Sequence, residues 1–185
     1  MNFVFDIRKA VAATGYVCGL NGGSLDVLHL MKMLYWADRT ALLNWQRTVT
    51  GDKFYSMKNG PILSRIYDLM CGKIPGPDRS LWTAIFNQRE GNVISLRTEP
   101  DHGPLSRREM AVLEEAFTKF RDVPAGKLVS FLHNVLPEWK DPGDSSAPID
   151  PREILSAGGF NEQQISDIEE DLSLFCSAKV ALQAV

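Results

Sequence analysis

The stretch from Ser24 to Trp45, "SLDVLHLMKMLYWADRTALLNW", restricts the fold of this chain more than any other. At about 100° of rotation per residue, Val27, Leu30, Met31, Leu34, Ala41, Leu42 and Trp45 gather on one side of a helix. Leu25, Met33, Trp36 and Leu43 occupy much of the other side. A helix that is apolar almost all round must be covered all round, so it is predicted to lie at the centre of the fold. Asp38 interrupts that pattern in the middle of the apolar face. A carboxylate there has to be hydrogen-bonded or paired, because burying it alone costs on the order of several kcal/mol.

The rest of the chain arranges itself around this helix. Phe3, Ile7, Ala10, Val11, Thr14 and Val17 share a face of a first helix, Phe3 to about Leu20, which Gly22-Gly23 ends. Ser24 is then expected to cap the central helix. Short β-prone runs follow, Arg47–Thr50 and Lys53–Met57, around Gly51-Asp52. Asn59-Gly60-Pro61 leads into a third helix, expected from Pro61 to Met70, with Ile62, Ile66 and Leu69 inward. The early amides of that helix, Ile62 to Ser64, lack intrahelical partners, and Asp38 is predicted to accept from them. Gly72 to Ser80 reads as a loop. Trp82–Phe86 and Asn92–Arg97, flanking "NQREG", read as a β-hairpin that joins the Val49 and Phe54 segments in one small antiparallel sheet.

The second half reads as helical. Ser106 followed by Glu109 is a capping-box signature for a helix to about Phe120. Another helix is expected after Pro124, from Ala125 to Val135. Pro137 to Pro148 reads as an irregular connector. Asp150-Pro151-Arg152-Glu153 opens a further helix that Gly158-Gly159 closes, and Asn161 with Gln164 opens the last. The expectation is a mainly α, α+β domain over residues 1–185, with about seven helices and a small antiparallel β-sheet.

Charge and motif content narrow the function classes. The net charge of −3 argues against a general nucleic-acid binder, which needs a cationic excess. The Pro151–Asp171 helix pair superficially resembles a helix-turn-helix, but its second helix carries Glu162, Asp167, Glu169, Glu170 and Asp171 and no cation up to Asp171. That pair reads as a packing element or a protein-binding surface. Cys18, Cys71 and Cys176 are far apart and form no CxxC pair, which points to reduced thiols and a cytoplasmic protein. No apolar run is long enough to cross a membrane.

The Gly60-Pro61 junction has one glycine, no GxxxxGK, and a proline that removes a donor, so it reads as a structural strand-to-helix turn rather than a phosphate cradle. His29, His102 and His133 share no metal-ligand spacing, and no metal or cofactor is expected. No serine stands in a GxSxG elbow. A small hydrolase or transferase using His133, Glu138 or Asp38 remains the reading from the enzyme class.

Order carries more information than any one motif. Lys32-Met33-Leu34-Tyr35-Trp36-Ala37-Asp38 precedes Phe54-Tyr55-Ser56-Met57-Lys58-Asn59-Gly60-Pro61-Ile62, with Tyr67 after it. This set resembles the Panacea domain, the SocA-like antitoxin family once described as phage-associated proteins. Members typically show a Lys-Leu-Leu-Tyr-Tyr-like helix, a hydrophobic strand, a Gly-Pro-Val-like junction and a downstream tyrosine. The resemblance is clearest from Leu25 to Leu69 and continues loosely through His133–Trp139 and Ile149–Leu155. Met33, Ser56 and Ile62 depart mildly from the usual leucine, alanine and valine.

The resemblance implies a non-enzymatic antitoxin of a toxin–antitoxin system, which neutralises a cognate protein toxin, generally encoded beside it, by direct contact. The alternative within the binding class is a phage or prophage regulatory adaptor whose partner is a host protein. Lys32, Tyr35, Asp38, Gly60, Pro61 and Tyr67 are the matched residues, expected to be scaffold and to line a groove. The resemblance assigns no toxin contacts; Trp36, Arg39, Trp82 and Trp139 are the expected partner-binding anchors, because aromatic and arginine side chains dominate interface hot spots.

Overall fold

The computed structural model describes residue 1 and residues 3–183, with the side chains of positions 176 and 178–183 left out. The Cys176 side chain therefore lies outside the described residues; Cys18 is buried, Cys71 half-buried, and both are free thiols. The first helix, α1 (Ile7–Leu20), starts one turn later than expected. Asp6 sets that start: its carboxylate accepts from Lys9 N at 3.2 Å, and its own amide donates to Thr50 O.

β1 (Ser24–Asp26) replaces the expected cap. Ser24 is spent in strand pairing, and Asp26 caps α2 (Val27–Trp45) by accepting from Leu28 N and His29 N. Both faces of α2 are covered as its pattern requires, and Leu30, Met33, Leu34, Tyr35 and Leu42 lie deep in the core. After it, residues 47–53 contain no strand, contrary to the β reading of Arg47–Thr50; their backbone groups are instead held by side chains, as described below.

β2 (Phe54–Met57) and β3 (Ile62–Leu63) form a hairpin through Lys58-Asn59-Gly60-Pro61. The Pro61 helix start is thus corrected: Ile62 and Leu63 pair with Tyr55 and Phe54, and α3 begins only at Ser64 (Ser64–Met70). A further correction concerns Trp82–Phe86. Residues 77–85 form α4 (Pro77–Ile85), with Gly76 at its N-cap and Pro77 in its first turn. Only Phe86 keeps a strand-like role, bridging Leu96. β4 (Val93–Ser95) pairs with β1, so there are two sheets where one was expected.

α5 (Arg107–Phe120) carries the expected capping box in full, with Ser106 N donating to Glu109 Oε2 at 2.7 Å. α6 (Ala125–Val135) follows, and the connector after it contains β5 (Ser146–Pro148), which adds to β2 in the order β3-β2-β5. α7 (Pro151–Ala157), capped by Asp150, and α8 (Glu162–Gln183) complete the described chain. The described residues thus form eight helices with two small antiparallel sheets, a mainly α, α+β architecture with one helix more than expected because α4 replaces a strand. α2 sits between α1, α5, α6 and α7, and one contiguous apolar cluster joins all of them.

Candidate functional site: a buried polar seam and a cationic groove on α2

The polar residues of the central helix lead in two directions. Asp38, 1% exposed, faces the loop after the helix. Its Oδ1 accepts from Val49 N at 2.8 Å and Thr50 N at 3.2 Å, and its Oδ2 accepts from the Thr50 hydroxyl at 2.5 Å. The requirement that a buried carboxylate be satisfied is met, but by this loop and not by the helix after Gly60. Burial raises its pKa to about 7, against the pull of the Thr50 and Val49 donors.

A different carboxylate, Asp52, does the capping that Asp38 was expected to do. Its oxygens accept from Arg65 N at 3.0 Å and Ile66 N at 2.9 Å, the early amides of α3. Thr50 joins the two acids, because its hydroxyl donates to Asp38 while accepting from Asp52 N at 3.2 Å. The seam therefore runs from α2 through the loop to α3.

Tyr35 and Arg39 converge on Glu138, which is 2% exposed. Tyr35 Oη donates to Glu138 Oε1 at 2.9 Å and Arg39 Nε donates to the same oxygen at 2.6 Å. Burial and the neighbouring carboxylate push the tyrosine hydroxyl well above its ordinary range. Glu138 is held by a tyrosine and an arginine, while His133 stacks on Trp139 with ring centroids 3.6 Å apart. The sequence does not hint at the Tyr35–Glu138 contact, which spans more than half of the chain; the only local signal is an acid placed before a tryptophan.

Lys32, 2% exposed, points the other way, toward the hairpin. Its Nζ donates to Pro61 O at 2.8 Å, the one acceptor it has among the described residues. Burial draws its pKa down to about 7. Gly60, at φ +93°, stands against it: a Cβ there would lie 3.3 Å from Lys32 Nζ and 3.7 Å from His133 Nε2. His133 Nε2 is buried and has no hydrogen-bond partner among the described residues. Burial, then the nearby Lys32, lower the His133 pKa, opposed by Asp141.

Lys32, Gly60 and Tyr67 line a groove of 240 Å³ between α2, the β2–β3 hairpin and Arg89. Asp38 and Tyr35 lie outside its lining, and Pro61 contributes through its carbonyl contact to Lys32.

The four expected anchors separate. Trp36 is half-buried, edge-on to Phe120 at 5.2 Å, with Lys119 Nζ 4.9 Å and Arg39 Cζ 5.9 Å from its ring. Phe131 and Val135, 38% and 40% exposed, continue this surface along α6. Trp139 is half-buried and ties the connector to β2 by donating to Met57 O at 3.0 Å. Trp82 is 1% exposed and stacked on Phe86, so it offers no surface to a partner; the helix that replaced the expected strand turned it into the core.

Among the described residues no group of three or more His, Cys, Asp and Glu is placed to hold a metal ion, and no helix is long and apolar enough to cross a membrane. Residues 30–140 match the family model described as Antitoxin SocA-like, Panacea domain. No curated protein and no solved structure matches the chain.

Proposed function

Because the chain belongs to the Antitoxin SocA-like, Panacea domain family, we propose that it is the antitoxin of a toxin–antitoxin pair and neutralises a cognate protein toxin by direct binding in the cytoplasm. The observation that carries this reading is the match over residues 30–140, which includes α2 from Leu30 onward, the hairpin and the Glu138 contact. The chemistry of the site agrees with it. Asp38 and Glu138, acids a hydrolase would draw on, are committed to structural hydrogen bonds, and neither is paired with His133 in acid–base geometry. The cationic groove over Lys32 and the Trp36–Phe131 aromatic face are surfaces suited to recognition.

The test is co-expression with the product of the adjacent reading frame. That product alone is expected to arrest growth, and joint expression to restore growth and yield a complex that survives purification. A neighbour that is harmless alone and forms no complex with this protein overturns the reading.

A further inference from the structure

The groove over Lys32 has a sign and a size that narrow what can occupy it. Three of its lining residues are cationic, Lys32, Lys58 and Arg89, and none is a carboxylate, in a chain of net charge −3. The cations are graded in depth: Lys32 is buried at the floor, Arg89 half-buried and Lys58 exposed. Lys58 has an exposed ion pair with Asp144 at 2.8 Å, which water and salt weaken. Arg89 donates to Gly91 O, Asn92 Oδ1 and Cys71 Sγ and meets no acid among the described residues. Lys32 has three donor hydrogens and, among the described residues, a single acceptor, Pro61 O. A buried ammonium without a counter-charge is costly, and a carboxylate arriving from outside would relieve that cost.

The walls are apolar, built from Leu28, Met31, Met57 and Ile62 with the Tyr67 ring. At 240 Å³ the groove falls below the roughly 300–1,000 Å³ of small-molecule and cofactor sites, which favours an inserted side chain over a whole ligand.

We propose that this groove seats an acidic side chain flanked by apolar residues, carried on a segment of the protein partner. The proposal rests on the reading that this chain acts by binding a protein. The acid meets the Lys32 and Arg89 cations, and the flanking residues cover Met31, Met57 and Ile62. Gly60, required by its φ of +93°, also leaves the Lys32 ammonium uncovered, since a Cβ there would lie 3.3 Å from it.

The test uses the full chain and a random peptide library displayed on phage. Enriched peptides are expected to share an Asp or Glu between apolar residues. In synthetic form, changing that acid to its amide should weaken binding by roughly tenfold to a hundredfold, the factor for a charge-assisted hydrogen bond. Arg89→Gln, at a half-exposed position that leaves the core intact, should weaken the acidic peptide by about tenfold and leave the amide peptide unchanged. Lys32→Met should do the same if its thermal melt shows a folded protein. Lys127→Gln, outside the groove, should have no effect.

Enrichment without a shared acid, or equal binding by Arg89→Gln, overturns the proposal. So does displacement of the peptide by inorganic phosphate with no dependence on the apolar flanks, which would make the site one for a free anion. Co-expression with the neighbouring gene product is scored separately. Neutralisation that persists in Arg89→Gln with no acidic motif in the library removes the groove and keeps the antitoxin reading. An acidic motif with no neutralisation does the reverse.

Discussion

Asp38 and Lys32 stand six residues apart on one helix, both buried, and burial draws each toward about 7 from opposite sides. For Asp38, the loop amides of Val49 and Thr50 would be stranded by an apolar replacement. Asp38→Leu should therefore lose about 3–5 kcal/mol, while Asp38→Asn keeps an acceptor for both amides and should lose about 1–2 kcal/mol. Urea melts measure both; a Leu variant as stable as the wild type would show that the carboxylate satisfies nothing the fold needs. The pH dependence follows from the same pair. The folded state holds the Asp38 proton more tightly than the unfolded chain does, so stability from this group is full at acid pH and is lost as pH rises toward about 7. Lys32 is the reverse: the folded state holds its proton less tightly, so its penalty is full below about 7 and disappears as pH climbs to the ordinary lysine range. Asp52 acts in the same sense as Asp38, with its pKa raised by burial, and His133 in the same sense as Lys32. Melts across pH should show the advantage of wild type over Asp38→Asn shrinking up to about 7, and its advantage over Lys32→Met growing above about 7. Flat differences would contradict both assignments.

At the scale of elements, α3 is short and depends on a cap that lies outside it. Leu63 occupies its N-cap position with no side-chain bond, and Asp52 supplies both acceptors from the preceding loop. Asp52→Ala should cost about 2 kcal/mol, the upper end for a lost cap, because the amide of Ile66 is buried with it. A stability change under a few tenths of a kcal/mol would remove Asp52 from this role. The contrast among caps explains what the sequence disclosed. Ser106–Glu109, Asp150–Arg152 and Asn161–Gln164 each complete their bonds within one turn, so α5, α7 and α8 are legible from a few adjacent residues. Ser24 reads as the α2 cap in sequence because β1 exists only through pairing with β4, a strand that follows α4. Trp82–Phe86 has the aromatic and β-branched content of a strand, and the helix that prevails starts at a Gly76-Pro77 signal inside what reads as a loop. In the candidate site, the oddness of Asp38 was visible as a break in periodicity, whereas its partner was not, since two acids 14 residues apart compete for the same role and tertiary closure decides between them. The meeting of Lys32, Gly60 and His133 has no local signature at all.

Over the whole molecule, α2 is the shared contact surface of α1, α5, α6 and α7, and a single apolar cluster extends from Ala10 to Ile165. We expect the chain to unfold as one unit. Trp36, Trp45, Trp82 and Trp139 report from different parts of that cluster, so their fluorescence and the far-UV circular dichroism should give coincident urea transitions. Separate midpoints would divide the chain into independently folding parts.

The seam through Thr50 also affects how the backbone meets solvent. Val49, Thr50 and Asp52 belong to no helix or strand, yet their amides are tied to buried oxygens of Asp38 and Thr50. Hydrogen–deuterium exchange in such a segment would ordinarily be complete within the dead time of the measurement, as for any irregular loop. Here those amides open only when Asp38 and the Thr50 hydroxyl release them, so their deuterium uptake should be far slower than that of an ordinary loop and approach that of the central helix.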